Sequence, residues 1–196
     1  MIKMEKERKL QIIRMAAKRF ARHGANKTTL DEIARDMRIG KATIYHYFTS
    51  KEELFYATLD WEGQQFLDDI KNILSKDDLK IKDRLIEFFV YKETLNQKYK
   101  LLYDALLIIL KEEYFEREAE IIKGIITKEE EIVGSFLSKY FIERKGAAFV
   151  SIISFVVNQS WGLLFTGKIN QSFQPGIQAA SRESLSIFLD NFQEKQ

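Results

Sequence analysis

The chain has 196 residues, enough for one large or two small hydrophobic cores. It contains no cysteine, which excludes disulfides and thiol chemistry and fits a reducing, cytoplasmic setting. Its formal charge of +2 says little until it is resolved along the chain: residues 1–51 carry thirteen Lys or Arg against five Asp or Glu, net +8, and the other 145 carry eighteen against twenty-four, net −6. A basic module followed by an acidic body is the electrostatic pattern of a protein that presents one end to phosphates.

A single proline, nine glycines and no convincing alternating segment predict an all-α fold of about nine helices. Helix 1 is expected near 3–23, stopped by Gly24, with no apolar leader behind the charged first residues. Thr29 then opens a second helix with a capping box: its hydroxyl can accept from the N–H of Glu32 while the Glu32 carboxylate reaches back. Leu30, Ile33 and Ala34 fall on one face of that helix, a short turn follows, and Lys41 to Tyr47 forms the next helix. The segment 29–48 thus has the spacing of a helix-turn-helix, with Lys41, Thr43, Tyr45, His46 and Tyr47 supplying ammonium, hydroxyl and imidazole groups suited to a DNA groove.

Ser50 and Glu53 make a second capping box at the start of helix 4, about 50–74, which ends at the polar cluster 75–78. Helices are further expected near 79–96, 98–112, 115–142, 144–166 and 176–193, with Gly167 to Pro175 as the longest loop. Domain 1–50 is read as the DNA module and 51–196 as the body, with helix 4 linking them. Gly146 to Gly167 is uncharged for twenty-two residues, long enough to cross a membrane, but Ser151, Ser154, Asn158, Gln159 and Ser160 interrupt it and no second such stretch supports insertion. A helix apolar on all sides is instead expected to face its own core on one side and another chain on the other.

The segment 29–48, the preceding FARHGANKTT with Phe20 and Gly24, and the following TSKEELF from Thr49 to Phe55 together resemble the tetracycline-repressor (TetR) family over residues 6–60. That family commonly carries glycine where Arg38 stands, so Arg38 is expected to adopt a left-handed backbone. The resemblance implies a homodimeric transcriptional regulator, a repressor released from a pseudo-palindromic operator by a small effector. By resemblance Thr29, Tyr45, Tyr47 and Lys51 hold phosphates and Lys41, Ala42, Thr43 and His46 face bases. It also implies dimerisation through helices 8 and 9, about 144–193, where Ile177, Ala180, Leu185, Phe188, Leu189 and Phe192 form an apolar stripe. It further implies a ligand cavity among helices 4–8, for which Trp61, Tyr91, Tyr103, Asp104, Phe155, Asn158, Gln159 and Trp161 are the lining candidates.

Catalysis finds little support. Both histidines, His23 and His46, lie in the basic module, so the body has no imidazole for a triad or metal site, and no Gly-rich phosphate loop is present. No cofactor or metal is expected, and an apolar or aromatic effector is preferred to a metal-chelated one. The alternative reading is a DNA-binding architectural or partner-recruiting dimer whose body has no small-molecule effector.

Overall fold

The computed structural model describes residues 2–111, 116–140, 146–173 and 182–190, apart from the side chains of residue 2, residues 165–173 and Phe188. Among the described residues there are ten helices and no strand. They are α1 (Ile2–His23), α2 (Leu30–Asp36), α3 (Lys41–Tyr47), α4 (Lys51–Leu74), α5 (Ile81–Lys92), α6 (Leu95–Lys98), α7 (Lys100–Leu110), α8 (Glu116–Leu137), α9 (Ala147–Phe173) and α10 (Arg182–Asp190).

The chain forms two compact units: Met1–Gln65 with Tyr99–Lys123, and Phe66–Lys98 with Gly124–Gln196. The division falls inside α4, and it groups α7 with the N-terminal module rather than ending that module near residue 50.

In the first unit Ile12, Ala16 and Phe20 of α1, Leu30 and Ile33 of α2, Ile44 of α3 and Phe48 and Leu54 beyond it are buried together. Arg19 ties α1 to α2, its guanidinium pairing with Glu32 at 3.1 Å and Asp36 at 2.5 Å. Gly24 ends α1 with φ +81°, where its N–H bonds the carbonyl of Phe20 at 2.8 Å; only a residue without Cβ takes this conformation freely. Glu62 of α4 is buried and accepts the N–H of Leu102 at 3.0 Å, capping the first turn of α7.

In the second unit α5 packs against α9 and α10. Arg84 of α5 is buried and donates to the carbonyls of Leu74 and Leu79 at 3.2 and 2.9 Å, satisfying the buried C-terminal end of α4 and the turn beyond it. Lys82 pairs with Asp190 of α10 at 2.5 Å. Gly134 of α8 lies against Ile153 of α9, where an added Cβ would stand 2.9 Å from Ile153 Cδ1. A side chain there would require the end of the Ile153 side chain to shift.

Several boundaries differ from those expected. The segment 79–96 is not one helix: α5 ends at Lys92, where Thr94 Oγ1 bonds the Tyr91 carbonyl at 2.8 Å, and the short α6 follows. Residues 167–173 are helical rather than looped, because one interior glycine costs only about 1 kcal/mol and nothing between Lys168 and Phe173 breaks the helix. Residues 174 and 175, and the 176–181 and 191–193 parts of the expected last helix, lie outside the described residues.

Candidate functional site

The expected motif is formed by α2, a turn at 37–40 and α3. The capping box closes as the sequence requires: Thr29 N–H donates to Glu32 Oε2 at 2.9 Å and Glu32 N–H to Thr29 Oγ1 at 3.3 Å. These bonds from Thr29 hold the Glu32 carboxyl below its ordinary pKa. Arg38 takes the left-handed conformation, φ 54°, and the following Ile39 N–H reaches back to the Ala34 carbonyl at 3.0 Å. This closes the turn with a residue that carries a Cβ, at an energetic cost that glycine would avoid.

On α3 the side chain of Ile44 is fully buried, which anchors the helix and turns Lys41, Ala42, Tyr45 and His46 out together on one exposed arc. Thr43 and Tyr47 flank this arc half-buried, and Thr29 is exposed beside the start of α2. Lys41 is not loose. Its ammonium bonds Asp31 Oδ2 at 2.9 Å and lies 5.6 Å from the Tyr45 ring centre, and the Asp31 bond raises its pKa. His46 Nε2 is 3.8 Å from Glu5 of α1.

Lys51 also has a partner within the fold. Its ammonium is bound to the backbone carbonyl of Ala25 at 3.1 Å, so in this conformation it holds the loop after α1. The capping arrangement at α4 differs from that expected: Ser50 Oγ accepts the Glu53 N–H at 3.0 Å, but the Glu53 carboxylate reaches Thr49, its N–H at 2.6 Å and its hydroxyl at 2.7 Å, rather than Ser50.

A groove of about 840 Å³ runs between the start of α1 and α3, lined by Lys3, Glu5, Arg8 and Gln11 on one side and His46 and Tyr47 on the other. Lys3 and Arg8, part of the basic run Lys3 to Lys9, therefore stand beside α3, with Glu5 and Glu7 in the same groove.

The body candidates separate. Trp61, Tyr103 and Asp104 belong to the first unit: Trp61 is half-buried, Tyr103 buried, and Asp104 paired with Lys100 one turn earlier in α7. Tyr91 and Trp161 belong to the second, where both rings meet Phe66, at 6.1 and 5.6 Å between centres. The Tyr91 hydroxyl also donates to Asp69 at 2.7 Å. Phe155, Asn158 and Gln159 are not brought to this cluster. Phe155 is 56% exposed and both amides are exposed, because α9 buries Val157, Ser160, Trp161 and Leu164 on its opposite side. An uncharged helix gives no hydrophobic contrast from which to read its inward face.

Residues 12–58 match the family described as bacterial regulatory proteins, tetR family. That match covers the helix-turn-helix module and not the body. Over 73 residues it is 40% identical to the uncharacterized HTH-type transcriptional regulator YuxN of Bacillus subtilis, a match covering 37% of this chain and 25% of YuxN. The chain spans no more than 42% of the length of the curated relatives it matches. Two solved structures share the fold along nearly the whole chain. The regulator FadR of B. subtilis in complex with stearoyl-CoA matches with a TM-score of 0.65 and 18% identity, over 92% of this chain and 96% of that one. A transcriptional regulator from Saccharomonospora viridis in complex with choline matches with a TM-score of 0.71 and 14% identity, over 95% and 97%.

Proposed function

We propose that this chain is a homodimeric transcriptional repressor of the TetR family, acting in the cytoplasm, that binds a pseudo-palindromic operator through α2 and α3 and is released by a small organic effector bound in its body. The observation that carries the reading is the exposed arc of Lys41, Ala42, Tyr45 and His46, held in place by buried Ile44 and by the Thr29 capping box. A short helix fixed from behind, with mixed donors in front and basic Lys3 and Arg8 beside it, fits a major groove flanked by phosphates. Base contacts are assigned to Lys41, Ala42, Thr43 and His46, and phosphate contacts to Thr29, Tyr45 and Tyr47. Lys51 joins them, since an ammonium has three donors and can bond a phosphate while it holds the Ala25 carbonyl.

Dimerisation is assigned to α9 with α10. Ala147, Ser151, Phe155, Asn158 and Gly162 follow one another at spacings of four, four, three and four and are all exposed in the single chain. The segment Ala147–Leu164 has a mean hydropathy of 1.5 and is 22% buried, so by length and composition it could cross a membrane. Serine, asparagine and glycine on its exposed stripe favour a partner helix over lipid. The effector reading is supported by the two similar structures that hold stearoyl-CoA and choline.

Selection of bound sequences from a random duplex pool tests the proposal: it should return an inverted repeat. Recovery of no preferred sequence, with binding unaffected by Lys41→Ala, would overturn the repressor assignment and leave the architectural reading.

A further inference from the structure

The second unit buries a charge pair where a purely apolar core would serve. Lys92, the last residue of α5, and Glu129 of α8 each have no exposed surface, and Nζ stands 2.6 Å from Oε1. Three rings close around the ammonium. The centre of Trp161 of α9 lies 3.3 Å from Nζ, that of Phe66 of α4 4.6 Å and that of Phe88 of α5 5.6 Å.

Aromatic faces carry negative quadrupole density, so three of them with one carboxylate make a site for a desolvated organic cation. The resident ammonium does not use the whole site. The Trp161 indole N–H lies near the Glu129 carboxylate and favours its charged form without closing a hydrogen bond, and among the described residues Glu129 Oε2 has no hydrogen-bond partner. As a source of stability the pair is a poor choice, since desolvating two charges consumes most of their attraction.

We propose that this cage is a cation-binding subsite, and that an amine or quaternary ammonium with an apolar body enters between Trp161, Phe66 and Phe88 and replaces the Lys92 ammonium as the counter-charge of Glu129. Its role as the effector site rests on the effector reading above. Charge balance fixes the accompanying step: Lys92 transfers one proton to solvent as the cation enters, so the site keeps one positive and one negative charge. Burial, the largest influence on Lys92, already lowers its pKa to about 8, which makes that proton available near neutrality. Glu129 faces Lys92 and Trp161, with Glu130 adjacent on its own helix raising its pKa, while burial raises it most.

The probe is phenyltrimethylammonium, with uncharged tert-butylbenzene as its carbon counterpart, followed by the fluorescence of Trp161 in a Trp61→Phe background. The cation should bind, the hydrocarbon should bind at least tenfold more weakly, and affinity for the cation should rise up to about tenfold per pH unit towards pH 8 and then level off. Lys92→Ala should bind more tightly and without that pH dependence; should it be unstable alone, the cation should raise its melting temperature. Glu129→Gln should lose the preference for the cation. Equal binding of both probes, or no effect of the cation on fluorescence or melting in either the parent or Lys92→Ala, would overturn the proposal. If selected DNA remains bound in those same samples, the failure belongs to the cage and not to the transcriptional reading.

Discussion

Glu62 on α4 takes the Leu102 amide at 3.0 Å and so serves as the N-terminal cap of α7, forty residues away in sequence. Tyr99, which occupies the cap position itself, makes no side-chain cap bond. The carboxylate meets the positive end of the helix dipole and a second amide, that of Leu101, yet burial outweighs both and pushes its pKa up to about 7; Asp104 adds to the rise and Lys100 opposes it.

The first prediction follows from that balance. A carboxyl with a folded pKa above its unfolded value binds more protons in the native state, so its contribution to stability is full below pH 4.5 and is lost as pH rises through about 7. A rise of this size corresponds to about 3 kcal/mol between those limits. Urea unfolding of the native chain should therefore show a loss of that order between pH 4.5 and 8, on top of changes from other groups. Glu62→Gln, which keeps an acceptor for Leu102, should remove most of the difference. An identical pH profile for the two proteins would show that Glu62 is ionised in the fold throughout.

Much of the module was legible in the sequence because its signals are local. The Thr29 capping box and Gly24 at the end of α1 each depend on residues within four positions of one another, the left-handed Arg38 was implied by the family resemblance, and the structure has all three. What could not be read depends on distant partners. Nothing near Lys51 in sequence announces the Ala25 carbonyl, and nothing near Lys92 announces Glu129. Phe155, Asn158 and Gln159 were placed on the wrong side of their helix because α9, being uncharged from end to end of that run, has no polar face by which to orient it.

The local cap yields a second prediction. Thr29→Ala removes the hydroxyl that accepts from Glu32 N–H and releases the Glu32 side chain from one of its bonds. The loss should be about 1 kcal/mol, measured by denaturant unfolding. Thr29→Asp retains an acceptor at the cap and should recover most of that stability, but its negative charge at a proposed phosphate contact should weaken DNA binding. Equal DNA affinity for Thr29→Asp and the native chain would remove Thr29 from the interface.

On the DNA side, three to five phosphates neutralised per half-site should give the dimer a slope of roughly −5 to −9 in log affinity against log salt. Lys41→Ala should change both affinity and preferred sequence, since its ammonium is directed by Asp31 across the exposed arc of α3. Asp31→Asn frees that ammonium without deleting it and should tighten binding while broadening the sequences accepted. Tyr47→Phe should weaken all sites alike by loss of one phosphate bond. Filter binding over a salt series separates these cases, and a slope near zero would exclude a phosphate-facing surface altogether.

The last prediction concerns α9. A pseudo-palindromic operator requires a two-fold partner, with recognition helices about 34 Å apart, one turn of the duplex. Phe155 is the largest side chain on the exposed stripe from Ala147 to Gly162, and it is flanked one turn away by Ser151 and Asn158. A stable interface hides about 800 Å² on each partner with its large apolar side chains near the centre. Phe155→Glu would bury an unpaired carboxylate there, twice over by symmetry, while leaving the single chain's core untouched because the ring is already exposed. Sedimentation should then show monomers with an unchanged helical signal, and DNA affinity should fall because each half-site is held alone. A dimer that persists at micromolar concentration would move the interface away from this stripe, and a native chain that sediments with lipid vesicles while Phe155→Glu does not would assign the stripe to a membrane surface instead.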